Sequence, residues 1–352
     1  MLTGRLSLPS ALTPLEWHVH ELVFGYVPAV IAGFLLTSVP NWTGRLPIVG
    51  RRLAMLYAVW IAGRLAMLTS DWLGAETAAL IDLLFLATLG GVIGREIIAA
   101  GNTRNLKVLV VIGLLLAANV LFHLEAIGGI GGGHGMRLGI GVTVFLICLI
   151  GGRIIPSFTR NWLVRREPGR LPAPFDRFDA AVMTMTGVAI AGWIVAPQAR
   201  LIAALAALAG LANIARLARW AGERTAAEPL VLVLHVAYAF VPAGFGLLAL
   251  ADWAPGTVAA TGALHGWTAG AIGLMTLAVM TRASLGHTGR PLHATRPIQA
   301  IYLAATLAAV ARIASAFGLG GMAMLHLAGT AWMLAFVGFV VVFGPLLTRP
   351  RP

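Results

Sequence analysis

Apolar runs long enough to span a membrane recur along the whole of this 352-residue chain. They fall at roughly 20–39, 53–70, 77–99, 106–122, 138–154, 179–197, 199–217, 229–250, 257–281, 297–317 and 322–347. Each is close to the ~20 residues that a helix needs to cross a hydrocarbon core. Lipid offers a backbone no hydrogen-bond partners, so a segment of this length must satisfy its own amides and become a helix. The expected fold is all-α, a polytopic transmembrane helical bundle of about eleven helices. Composition agrees: 59% of the residues are hydrophobic and only 11% are charged, a balance that no soluble domain needs.

The remaining charges are sorted by side. The formal net charge is +12, and 24 of the 25 basic residues are arginine. In a soluble chain this would point to nucleic acid. In a membrane chain the expected partner is the lipid bilayer with its anionic headgroups, and no nucleic acid. Twenty of the 25 basic residues lie in the loops after helices 1, 3, 5, 7 and 9 and in the C-terminal tail, whereas Arg5, Arg137 and Arg200 lie on the opposite side. The excess of arginine on cytoplasmic loops then places the N-terminus outside and the C-terminus in the cytoplasm. Residues 1–16 hold no secretory signal, so an outside start suggests one further helix upstream. The linker 155–178, with Pro156, Pro168, Pro172 and Pro174, separates possible halves 1–154 and 179–352. No internal repeat is visible, so 1–352 reads as a single integral-membrane domain.

Chemistry in such a chain has to come from the few polar residues at membrane depth. The lone Cys148 rules out disulfides, cysteine zinc sites, iron–sulfur clusters and covalent c-type haem attachment. A bound transition metal would rely mainly on the nine histidines. Six of them fall in the outer half of the expected topology. His18 and His20 open the first helix in Trp17-His18-Val19-His20-Glu21, and His123 and His134 flank the loop before helix 5. His265 lies roughly 12 Å into helix 9 at 1.5 Å per residue, and His326 about one turn into helix 11. His235 sits deeper, in helix 8, on the same face as Tyr238. Neutral imidazole is the usual protein ligand of haem iron and copper. For each histidine the alternative is a hydrogen bond to a neighbouring helix.

The candidate metal site is the outward set His18, His20, His265 and His326, with His235 as a further candidate ligand. In a regular helix His18 and His20 point about 200° apart, so one metal takes both only if the helix starts between them. Glu21 shares a face with His18, where it would orient a ligating imidazole or close a helix-start hydrogen bond. Arg64, Arg312 and Asp82 lie at similar depth in the outer third. One reading pairs Asp82 with an arginine; the other sets Arg64 and Arg312 against anionic groups of a cofactor, such as haem propionates. Gly262, Gly266 and Gly270 form a stripe beside His265, for ordinary small-residue packing or for the edge of a porphyrin. No phosphate-binding loop, nucleophile elbow, zincin motif or carboxylate pair of known spacing occurs.

Several blocks resemble signatures of the NnrS family. They are Trp17–Gly25 with Phe34–Thr37 and Val39–Gly44, then Gly152–Thr159, then Met275–Arg282 running on through Gly286-His287-Thr288-Gly289-Arg290. The resemblance implies a multi-pass protein of the bacterial inner (cytoplasmic) membrane, usually of twelve helices. It implies haem and copper, nitric oxide as the small ligand, a role in nitric oxide metabolism or protection from nitrosative stress, and an electron donor as a further partner. It does not assign either metal to a particular histidine. A nitric oxide reductase-like reaction needs two metals close together and a route for electrons and protons, so catalysis stays open. Two alternatives remain. One is a multi-helix transporter of a metal or small nitrosyl species, which needs a path through the midplane. The other is a non-catalytic membrane assembly partner whose histidines only satisfy hydrogen bonds.

Overall fold

The computed structural model describes residues 8–166 and 168–348, and among these every regular element is helical. All eleven apolar segments are helices. We label them α1 (14–43), α2 (Arg51–Leu68), α3 (Ala75–Ala99), α4 (Lys107–Gly128), α5 (134–163), α6 (Arg177–Val195), α7 (Arg200–Ala218), α8 (Pro229–Trp253), α9 (260–287), α10 (Arg296–Ala316) and α11 (Gly321–Thr348). Ten are long and apolar enough to cross a membrane. The exception is α2, whose eighteen residues carry Arg51, Arg52 and Arg64.

Several boundaries differ from expectation, and three show what moves them. α1 starts at Pro14, ahead of both histidines. The Thr13 side chain accepts from the Glu16 amide and the Glu16 carboxylate accepts from the Thr13 amide, a reciprocal cap with proline at the first helical position. Pro40 does not stop α1. The helix runs to Thr43 and ends at Gly44, whose φ of 68° lets its amide close back on the Pro40 carbonyl at 2.9 Å. α5 continues to Leu163, through the first third of the expected linker 155–178.

Two compact units divide the chain, residues 1–143 and 144–352, the division falling inside α5. In the first, α2 packs along α3, α3 along α4, and α1 against α3. Their outward faces are apolar and exposed, as at Leu80, Leu84, Val110 and Leu114, which fits a lipid environment and no aqueous one. In the second, α8 is the central helix, lying against α5, α7 and α9, while α10 and α11 form an antiparallel pair.

The second unit buries one arginine completely. Arg216 donates through Nε to Asp179 at 2.9 Å, and through Nη1 to the Cys148 carbonyl at 2.9 Å and the Tyr238 hydroxyl at 3.0 Å. Tyr238 in turn donates to Asn213 at 2.7 Å, and Asn213 to Thr186 at 2.9 Å. A buried charge is tolerated when paired and fully hydrogen-bonded. The Cys148 carbonyl lies in a π-helical turn, Ile147–Gly151, and takes the Arg216 donor in addition to the Gly152 amide, since a carbonyl oxygen has two lone pairs.

Candidate metal centre

Three helix ends of the first unit place polar side chains at one depth. His20 lies six residues into α1 and Asp82 seven into α3, while His123 lies five before the end of α4. At 1.5 Å per residue these are roughly 8–10 Å from their respective helix ends. α3 and α4 run antiparallel, so the start of one meets the end of the other. All three side chains are buried, His20 with none of its surface exposed.

Asp82 is the hub. Its Oδ2 lies 3.2 Å from His20 Nε2 and 3.2 Å from His123 Nε2, and accepts from Asn119 Nδ2 at 2.7 Å. Its Oδ1 accepts from Arg64 Nη2. Arg64 Nη1 reaches across to Glu21 Oε1, which also lies 3.1 Å from His20 Nδ1. Phe24, Phe122 and His123 surround the His20 ring at centroid distances of 5.6, 5.5 and 5.0 Å.

Glycines make the closeness possible. A Cβ on Gly25 would stand 2.4 Å from Arg64 Nη1, and one on Gly135 would stand 2.3 Å from the Phe122 amide nitrogen. Glu21–Tyr26 is another π-helical turn, and the indole of Trp60 donates to the Gly25 carbonyl within it at 2.9 Å.

The arrangement has an electrostatic gap. A carboxylate can only accept, and His20 meets one at each ring nitrogen, Glu21 at Nδ1 and Asp82 at Nε2, so a neutral ring cannot donate to both. One neutral form carries its proton on Nδ1, toward Glu21. The Nε2 lone pair then faces the Asp82 carboxylate, an opposition that a proton or a cation between them relieves. Glu21 stands where a carboxylate fixes the tautomer of a metal-bound imidazole. Ligand atoms about 2 Å from one tetrahedral ion lie about 3.3 Å apart, close to the two 3.2 Å separations at Asp82 Oδ2. The donor atoms of His20, Asp82 and His123 all fall within 4.8 Å of one another. Two imidazoles and a carboxylate suit a small transition-metal ion such as copper. Haem iron would bind an imidazole nitrogen, and carboxylate oxygens stand 3.1 and 3.2 Å from the two nitrogens of the wholly buried His20, where a porphyrin would have to lie, so this cluster does not fit haem.

A family model described as NnrS protein matches residues 1–351. The chain belongs to the NnrS family. No curated protein and no solved structure matches it. The opening NnrS signature supplies His20, Glu21 and Gly25 to the cluster.

The residues singled out in the sequence fall in both units. His20 and Arg64 meet in the first unit with Asp82, so Arg64 takes the carboxylate pairing of its two readings. Glu21 pairs with His20, although its spacing pointed to His18, which is half-buried on another face of α1. His235, His265, Arg312 and His326 belong to the second unit. His265 Nδ1 lies 3.0 Å from the Thr261 carbonyl, a bond that fixes the proton on Nδ1 and the lone pair on Nε2, as an imidazole ligand requires. The glycine stripe beside it is used in helix packing: Cβ atoms at Gly262, Gly266 and Gly270 would meet Ala316, Gly244 and Phe240 at 2.3, 3.0 and 2.4 Å. His235 Nε2 lies 2.8 Å from the Thr159 hydroxyl, and its Nδ1 faces Gly222. His326 is exposed on α11, and Arg312 is half-buried with no ion pair among the described residues.

From sequence alone Asp82 stands only as an arginine partner, and His123 and Asn119 lie outside the candidate metal set. The available signal was the four-residue spacing of Asn119 and His123, two polar residues on one face of an otherwise apolar helix.

Proposed function

We propose that this chain is a haem- and copper-binding protein of the bacterial inner membrane that acts in the response to nitric oxide or in its removal. Copper is held by His20, His123 and Asp82. The observation that carries the reading is the buried His20–Asp82–His123 triad, whose donor atoms converge with a carboxylate behind one imidazole. The resemblance to the NnrS family is what supports adding haem and nitric oxide to this reading.

Within the triad, Glu21 holds the His20 ring in orientation and Arg64 offsets the two carboxylates. Phe24 and Phe122 keep bulk water from the ligands. Copper, when bound, would supply a one-electron centre. The candidate haem ligands are His265, His326 and His235 in the second unit and, separately, His18 in the first; the candidate propionate partner is Arg312 in the second unit or Arg64 in the first. Arg64 is already committed to Glu21 and Asp82, which leaves Arg312 the better placed of the two. The N-terminus lies outside, and the copper site is on that side.

The test is anaerobic nitric oxide consumption by the purified protein with an electron donor, alongside its optical spectrum and copper content. A haem absorption band, copper and steady consumption support a removal role. Haem and copper without turnover support sensing or protection. Neither metal in protein from metal-replete cells rejects the reading.

A further inference from the structure

We propose that Asn119 is a positioning residue whose side-chain carbonyl accepts a hydrogen bond from a proton-bearing ligand, water or hydroxide, on the ion held by His20, Asp82 and His123. This rests on the copper reading above. The orientation of the Asn119 amide is fixed by chemistry. Its neighbour Asp82 Oδ2 is a carboxylate oxygen and demands a donor, so the group 2.7 Å away is Nδ2. Oδ1 is thereby left out of that bond. It is buried in a residue with 1% of its surface exposed, and it has no partner.

An apolar residue on α4 would have avoided that unsatisfied carbonyl, and buried carbonyls are rarely left so. Asn119 sits one turn before His123, so amide and imidazole share a face. The triad offers three protein donors, and a four-coordinate ion leaves one position for an outside ligand. A second buried orphan in the cluster is Arg64 Nε, a donor. A proton-free diatomic or azide cannot donate to Asn119. The amide thus biases the open position toward water and sets a barrier to its displacement.

The experiment is an azide titration of the full-length, Cu(II)-loaded protein in detergent, followed by its charge-transfer band, for wild type, Asn119→Leu and Asn119→Gln. Copper content is measured on the same samples. Per copper bound, Asn119→Leu is expected to bind azide about tenfold more tightly, the effect of one lost hydrogen bond to the displaced water. Asn119→Gln, which keeps both amide groups, is expected to stay near wild type and provides a comparison if the leucine variant does not fold. Equal azide affinity in wild type and Asn119→Leu overturns the proposal while leaving the copper site standing. If the leucine variant does not fold, Asn119→Ala, which also removes the carbonyl, takes its place, and an azide affinity equal to wild type overturns the proposal. A wild-type protein that takes up no copper overturns both.

Discussion

Asp82 carries two imidazoles, an amide and a guanidinium on two oxygens, so its removal leaves several buried groups unpaired. Asp82→Asn is expected to lower stability by about 3–5 kcal/mol, because the Arg64 charge loses a partner that water cannot replace. The double variant Asp82→Asn/Arg64→Gln should lose less than the sum of the two single changes, since the pair acts as a unit. Chemical denaturation in a fixed detergent checks both. Gly25→Ala would drive a methyl into the Arg64 guanidinium. It is expected to cost about 1–3 kcal/mol as an overpacked contact, and the loss should shrink when Arg64 is also shortened to glutamine. At this scale the sequence was only half legible. His20, Arg64 and Asp82 stood out because charge and imidazole are rare at membrane depth. The link between Glu21 and His20 did not. Face-sharing rules assume a regular α-helix, and here the chain enters a π-helical turn at Glu21 itself.

The helices were readable as elements from apolar length, and their ends were less so. Thr13-Pro14-Leu15-Glu16 contains a complete capping signal, but the hydropathy pattern drew attention to a start several residues later. The π-helical turns at 21–26, 147–151 and 266–274 leave no mark in apolar spacing. Two of them supply the carbonyls that Trp60 and Arg216 take. The start of α6 offers a test in solvent. Asp176 caps that helix, and the hydrogen bond from Arg219 draws its carboxyl from 3.8 down to about 2. The folded state thus binds this proton less tightly than the unfolded one. The resulting stabilisation is fully present above pH 4 and is lost as pH falls through about 2. Wild type should unfold at a higher temperature than Asp176→Asn at pH 5, and the gap should close near pH 2. A gap unchanged across that range would contradict the Asp176–Arg219 pairing.

For the molecule as a whole, lipid solvation fixes much from the sequence alone: helices, their approximate number, and apolar outer faces. It does not fix which interhelical neighbours meet, because apolar surfaces in lipid have little preference among themselves. That is why His123 went unchosen while His18, His265 and His326 were grouped by depth. Depth alone brings no two side chains together. The arginine distribution still predicts an outside N-terminus. Single cysteines in a Cys148→Ser background should react with an impermeant maleimide on intact cells at Gly131, before α5, and not at Arg166, after it. The reverse pattern would invert the topology. The most direct test of the central claim is the copper content of purified wild type, His20→Ala and His123→Ala by elemental analysis. About one triad-bound copper per chain should be present in wild type and missing from both variants; a His123→Ala protein that folds and keeps the wild-type amount would contradict it.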